Sequence, residues 1–540
     1  MDFENYPNQK TPHYPAPQSQ VPPQLRFSPL HRPGTRRDLI YAVVLALLTI
    51  LAADFYLWGG AGLGAAVVTA LVLLTGACYL MKHRKKLTAY GIYCGAAYLA
   101  GAGSLVFSNG GFIKFLVVVC LMILATVAIM ELLQLRQNKD SSYRTLGDFF
   151  YAAFGLTFGS IGRCIYALFH RESKEGLPEN RKIGIALIGV ACALPLLLII
   201  IPLLMSSDAA FSTLLERLAL DNLGELFGAL LLGLIAFVLI FGRLFSAPLA
   251  KREATEPRGT GGAAPTAICS FLGVIALVYV LYLVSQLAYF FNAFSGLLPE
   301  DFTVAQYARR GFFEMCAICA INLLIIFLAT LLCKKDKPTA PLSVRLFSLF
   351  FCIFSLILIA TALSKMFLYI DSFGMTRLRI FTSIFMVFLA VVFLSVVVRL
   401  FVWKVPYIKI AVVTASLLLI TTCYANVDSI VAEYNVTAYQ TGKLDSIDMD
   451  TLWGLNRDSA VPWLLELAHD ENDYVSSEAR TMLSYAYDDH FLVQEQVVVG
   501  YNNKVYEDQG IDWRAYNLVY AKAHRLLQEW KITDALKSMD

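Results

Sequence analysis

The sequence predicts an all-α protein: a polytopic transmembrane helix bundle of about 11 spans, followed by a small C-terminal all-α domain outside the bilayer. Three observations carry this expectation. Of 540 residues, 57% are hydrophobic and 16% are charged, whereas soluble domains are near half apolar and a quarter charged. Apolar runs of membrane-crossing length recur through residues 39–424. Charge is segregated: residues 1–424 carry 35 Lys and Arg against 21 Asp and Glu, and residues 425–540 carry 9 against 20. Such a chain is expected neither as a cytosolic enzyme nor as a nucleic-acid-binding module.

Residues 1–37 hold eight of the 19 prolines, spaced by Gln, Ser and Asn. They lack the apolar residues for a core and are read as a disordered, Pro-rich cytoplasmic tail. Residues 38–424 form the predicted bundle. A span needs about 20 apolar residues. Runs of that kind fall at 39–58, 60–81, 88–107, 112–131, 183–205, 225–245, 267–291, 311–333, 346–368, 380–402 and 405–424. The apolar stretch 149–169 contains Arg163 and is read as an interfacial or re-entrant helix on the inner side. Its Gly155, Gly159 and Gly162 are expected to let it pack closely on a neighbour. Pro195 and Pro202 share one face of the fifth span and are expected to kink it.

Residues 425–540 are expected to be an acidic, helical, extracytoplasmic domain that either stands off anionic lipid or contacts basic loops. Pro462 is expected in an early turn of a helix opening near Asp458 and Ser459.

Orientation follows from the loops. With the N-terminus inside, 28 of the 35 basic residues before 425 lie inside and seven lie outside. That is the positive-inside pattern. Five of the seven exceptions belong to two loops: Arg309 and Arg310, then Lys365, Arg377 and Arg379. Arg310 and Glu314 are four residues apart on one helical face, and Asp371 is expected to join the same cluster. Gly374 supplies a turn there, and Thr376 a cap for the next helix. Two readings compete for Arg309, Arg310, Glu314, Lys365, Asp371, Arg377 and Arg379. In one they satisfy one another and lock two outer loops together. In the other they form an outward pocket for an anionic lipid or a cell-envelope precursor, since guanidinium suits phosphate.

The runs SGLLPEDFTVAQYARRGFFE, YIDSFGMTRLRIF and ANVDSIVAEYNVTAYQTGKLDSIDMDTLWGLNRDSAVPWLLEL resemble the bacterial membrane proteins of domain-of-unknown-function family 4173, which is close to family 4153. The resemblance covers roughly residues 180–470. It implies a multi-pass protein of a bacterial plasma membrane and supplies no reaction.

Other candidates are weaker. All 11 cysteines precede residue 425, so no disulfide scaffold is expected. No cleavable signal peptide is visible, because the first apolar run begins near Leu39. Cys316 and Cys319 sit within a span and are read as packing residues rather than a redox pair. His83, His170, His469, His490 and His524 show no metal-ligand spacing, so no metal and no cofactor is expected. Asp54, Gln286 and Asn322 are read as interhelical hydrogen-bonding groups. Asn435 and Thr437 form a glycosylation sequon that a bacterial source would make irrelevant.

The expected function is that of a non-enzymatic envelope sensor or assembly protein, with the bilayer and other membrane proteins as partners. A transporter or lipid-handling protein with its anion site at the outer charged loops is the alternative. A membrane-embedded envelope transferase is the weaker one. The topology has a direct check. A cysteine introduced as Ser538→Cys should react with a membrane-impermeant maleimide on intact cells; labelling only after permeabilisation contradicts an odd number of spans.

Overall fold

The computed structural model of the chain describes residues 33–58, 60–107, 111–135, 143–169, 200, 204, 223–250, 263–295, 312–333, 340–402, 404–498, 501–506 and 516–537. Nine helices among them are long and apolar enough to cross a membrane. They are α1 (Arg36–Leu57), α2 (Leu63–Met81), α4 (Gly111–Leu133), α7 (Leu223–Ser246), α8 (Pro265–Ser295), α9 (Phe312–Leu332), α10 (Leu342–Phe373), α11 (Arg377–Phe401) and α12 (Tyr407–Tyr424). A shorter helix, α3 (Ala89–Gly103), runs into a 3-10 turn, Ser104–Val106, at the position of the third expected span. The expected span 183–205, with Pro195 and Pro202, lies outside the described residues, as does the tail before residue 33.

Large apolar side chains point away from the bundle along its length, among them Phe115, Val274, Val284 and Phe367, each more than 60% exposed. An apolar belt of that extent has no stable place in water. The chain is a multi-pass integral membrane protein.

The bundle has two ends. At the N-terminal end, the Thr35 side chain caps α1 in a capping box with Asp38, and the buried Asp38 also accepts from Tyr79 Oη at 2.8 Å. There Arg37 donates to the Cys78 carbonyl that closes α2 (3.1 Å), and Lys85 N–H to the Leu132 carbonyl that closes α4 (3.0 Å). Arg345 at the start of α10 donates to the Leu400 carbonyl at the end of α11 (3.2 Å). At the other end, Lys114 donates to the Gly60 carbonyl (2.6 Å) and Tyr424 to the Ala100 carbonyl (3.0 Å). The alternation of helix ends therefore follows the alternation of the expected loops.

Two groups of helices make the bundle. In the first, α1 packs along α7 and α2, and α3 along α4. A Cβ at Gly233 would come within 2.5 Å of Ile50 Cα, so a glycine there is what allows α1 and α7 to approach so closely. In the second, α10 packs against α8, α9 and α11. Helix α12 joins them: it packs on α11, and its Ser416 hydroxyl meets Tyr93 Oη of α3 at 2.8 Å. Asn322 of α9 is fully buried in the second group. It accepts from Tyr279 Oη (2.8 Å) on α8 and donates to Ser355 Oγ (2.9 Å) on α10. It binds three helices as an interhelical hydrogen-bonding group. The side chain of Gln286 lies outside the described residues, Asp54 is half-buried, and Cys319 is a packed core residue.

The stretch 149–169 is two limbs. Helix α5 (Tyr143–Phe150) continues through a π turn, Tyr151–Gly155, to Phe158. The chain breaks at Gly159 and Ser160 and resumes as α6 (Ile161–Phe169). Both limbs bury residues (Ala152 and Leu156, then Cys164 and Ala167) against Leu45, Tyr79, Leu133 and Phe241. Gly155 and Gly162 do not make the expected close contact with a neighbour. A Cβ at Gly162 would meet nothing, and at Gly155 only Tyr151 of its own helix. The close approach is instead provided by Gly242 of α7, where a Cβ would lie 3.0 Å from Ser160 Oγ and 3.3 Å from Cys164 Cβ.

Beyond α12 the chain turns at Asn426, held at φ 47°, and forms a helical domain on the end of the bundle opposite Arg36. Its helices are α13 (Val427–Gln440), α14 (Met449–Trp453), α15 (Arg457–Leu467), α16 (Asp473–Phe491) and α17 (Leu518–Lys537). Their buried residues form one core, with Val431, Val436, Leu464, Met482, Leu483 and Leu527 at its centre. An antiparallel hairpin, β1 (Leu492–Val498) and β2 (Tyr501–Tyr506), interrupts the helices, with Leu492 opposite Tyr506. Helix α15 opens at Arg457, one residue before Asp458, as its polar start suggests. Asn456 caps it, accepting from Ser459 N–H at 3.3 Å, so Pro462 sits in the second turn, inside the helix.

Replacing Asn322 by Ala would remove the acceptor of the Tyr279 hydroxyl and the donor to Ser355 Oγ, which keeps only its bond to the Phe351 carbonyl. Interhelical hydrogen bonds in membranes are worth about 0.6–2 kcal/mol each. A loss of about 1–2 kcal/mol of unfolding free energy in detergent is expected, read by denaturant titration of the full-length protein.

Candidate functional site

The two membrane helices α10 and α11 are joined by a tight turn, Gly374–Met375–Thr376, and that turn carries most of the described sequence-flagged charges. Gly374 closes α10 at φ 76°, a backbone region that side chains with a Cβ disfavour. Thr376 caps α11, accepting from Arg379 N–H. Helix α13 of the domain lies against this turn. Its buried Asn435 accepts from Met375 N–H (2.6 Å) and donates to the Met375 carbonyl (2.8 Å). The side-chain amide thus brackets one residue as a neighbouring strand would. A Cβ on Gly374 would fall 2.5 Å from Asn435 Oδ1, so the glycine is needed for space as well as for conformation.

Next to the bracket is an ion pair. Arg377 donates from Nε to Asp428 Oδ1 (2.6 Å) and from Nη2 to Asp428 Oδ2 (2.8 Å), a bidentate geometry. Asp428 is 5% exposed and sits in the first turn of α13, where the helix dipole favours an anion. Its Oδ2 also accepts the Asn456 N–H at 3.1 Å. The Arg377 guanidinium reaches further, to the Gly454 carbonyl at 3.2 Å.

The remaining flagged residues fall as follows. Asp371 pairs with Lys443 at 2.6 Å on the surface. The Asp371 carboxylate and then the Tyr434 hydroxyl hold the Lys443 ammonium above its ordinary value. A raised lysine stays charged at neutral pH, and its contribution fades only as strongly alkaline solution deprotonates it. Arg379 donates to the Phe373 (3.0 Å) and Gly374 carbonyls and lies 4.0 Å over the Tyr369 ring. Lys365 is half-buried on α10, and Glu314 is exposed near the start of α9. Arg309 and Arg310 lie outside the described residues.

The expected joint cluster of Asp371 and Arg377 is therefore replaced by two separate pairs. Asp371 and Arg377 each reach to the helical domain, whereas Arg379 turns back on its own turn. Spacing did not single out Asp428 and Asn435 of α13, Lys443 just after it, or Asn456 at the head of α15. Sequence spacing gave no signal, because 51 residues separate Arg377 from Asp428. The sequon at Asn435 is a buried bracket with both amide functions in use.

A second polar group lies deeper in the domain. His490 of α16 has a side chain 1% exposed and meets Asp458 of α15 through Nε2 at 2.9 Å. Its Nδ1 faces Nδ1 of His524 on α17 at 3.3 Å, and its ring stacks on Tyr520 at 4.0 Å. Among the described residues, no group of three or more His, Cys, Asp or Glu could hold a metal ion.

Comparison with known proteins adds the following. A family model described as Domain of unknown function (DUF4153) matches residues 94–467, well over half of the chain. No curated protein matches the chain, and no solved structure matches it. The matched segment ends at the last residue of α15. The core of the domain continues past it, through Ala479, Met482 and Leu527.

Gly374→Ala should cost about 2 kcal/mol or more, combining positive-φ strain with displacement of Asn435. The expected readout is a lower denaturation midpoint together with faster proteolysis within residues 427–467. An unaltered cleavage rate contradicts the bracket's role.

Proposed function

The chain belongs to the DUF4153 family of unknown function, and from that premise we propose that it is a non-enzymatic envelope protein whose membrane bundle holds its helical domain as a sensor or assembly surface. In this reading the N-terminus is cytoplasmic, the bilayer is a bacterial plasma membrane, and the domain is extracytoplasmic. One observation supports it most: Arg377 already spends Nε and Nη2 on Asp428 and Gly454, and Arg379 donates to Phe373 and Gly374 carbonyls. Guanidinium donors already engaged in this way make a poor pocket for phosphate and a good joint for a domain. The positive charges that oppose the topological bias then have a structural reason. Arg377 complements a carboxylate of the acidic domain, and Arg379 ties down the turn that presents it.

The alternative, a lipid-handling protein with an anion site at these loops, draws on Arg309 and Arg310 and predicts a different outcome. In a double-mutant cycle, Arg377→Ala and Asp428→Ala should each destabilise the full-length protein by about 2 kcal/mol. Part of the usual cost of breaking a buried pair is relieved by the exposure of Arg377. The double variant should cost little more than either single one. Retention of phosphatidylglycerol or undecaprenyl phosphate should be unchanged in Arg377→Ala; a tenfold loss of retention would favour the lipid-handling reading.

A further inference from the structure

The histidine pair is the titratable group that neither the bundle nor the joint accounts for. His490 faces Asp458 from α15, and His524 and Tyr520 from α17; on its own helix Asp489 is turned outward and paired with Arg457. Phe491 stacks on His524 at 4.5 Å, which closes the apolar side. Lys531 of α17 lies farther along, over the Tyr487 ring.

This geometry fixes where protons sit. A carboxylate only accepts, so the His490 Nε2 facing Asp458 carries hydrogen. With Nε2 protonated, a neutral His490 has a lone pair on Nδ1. The 3.3 Å contact with His524 Nδ1 is then made by a hydrogen on His524. One further proton on the other nitrogen of His524 leaves the contact between the two Nδ1 atoms as it is. A second proton is not accommodated. It must go to His490 Nδ1, which sets N–H against N–H across a part-buried contact.

The pair also stands between two attachments of the domain to the bundle. On one side, Asp458 lies in the first turn of α15, whose cap residue Asn456 donates its N–H to Asp428, the partner of Arg377. On the other, the residues leading into α17 touch the membrane helices. Leu63 N–H at the start of α2 donates to the Tyr516 carbonyl (2.9 Å), and Asn517 donates to the Leu105 carbonyl beyond α3 (3.4 Å).

We propose that Asp458, His490 and His524 form a proton-responsive joint that loosens α17 from α16 on acidification and so changes how the domain is held on the bundle. This rests on the sensor reading and names its stimulus. Histidine is the side chain whose charge changes between about pH 5 and 8. An extracytoplasmic domain meets that range directly.

The test is hydrogen exchange by mass spectrometry on the full-length protein in detergent at pH 8 and pH 5, corrected for the intrinsic exchange rate. Peptides from 516–537 should exchange at least tenfold faster at pH 5, with α13 unchanged. His524→Gln keeps a donor toward His490 without the titration, and should remove the response. Equal protection of 516–537 at both pH values overturns the proposal, as does a response that survives in His524→Gln. Should that variant fail to fold, ¹⁵N-histidine spectra of the wild-type protein decide. Coupled titration of two rings is expected, and independent titration of every ring overturns the joint. Failure here leaves the Arg377–Asp428 coupling intact. A null coupling in the double-mutant cycle would remove the sensor reading itself.

Discussion

One buried carboxylate, Asp428, organises the junction between membrane and domain. Its two oxygens take two hydrogen bonds from Arg377 of α11 and one from the backbone of Asn456 at the head of α15, while the carboxylate itself belongs to α13. Three elements thus meet on a single acceptor. A charge this buried is tolerable only with its partner in place, because removing one member of such a pair leaves an uncompensated ion. The other features of the joint follow from keeping that geometry. The turn must present Arg377 at the correct height, which needs Gly374 at positive φ and the Asn435 bracket on Met375.

Helix α12 makes the junction continuous with the far end of the bundle. Near its start, Lys409 pairs with the buried Glu131 of α4 at 3.3 Å, and Glu131 also accepts from Thr88 at 3.0 Å. At mid-length Ser416 meets Tyr93, and at its end Tyr424 reaches the Ala100 carbonyl. Two residues later Asn426 turns the chain into α13, and its side chain accepts from Ser459 of α15. A displacement of the domain is therefore borne by a helix held at both ends. The histidines of α16 and α17 lie beyond the family match, while Asp458 of α15 lies within it, next to the Asn456 cap that bonds Asp428.

Much of the bundle was legible because membrane hydropathy is a local property. Every expected span within the described residues corresponds to a helix, and Thr376 and Gly374 act as their residue types suggest. What spacing could not supply was pairing between distant residues. Arg377 and Asp371 looked like partners because they are near in sequence. Each instead reaches the domain, where Asp428 and Lys443 are brought in by tertiary structure alone. His490 and His524 met the same limit. Local rules also misled where packing overrode them. The glycines of 149–169 suggested a close contact that Gly242 of α7 supplies instead.

The central claim is that Asp428 joins the α10–α11 turn to the α14–α15 junction as one unit. Hydrogen exchange on full-length Asp428→Asn, an isosteric change that keeps the packing, tests it most directly. Protection should fall together in peptides covering 373–379 and 452–458, on opposite sides of the lost charge, with α8 and α9 unaffected. Loss confined to the substituted turn of α13, with residues 373–379 as protected as before, would contradict it.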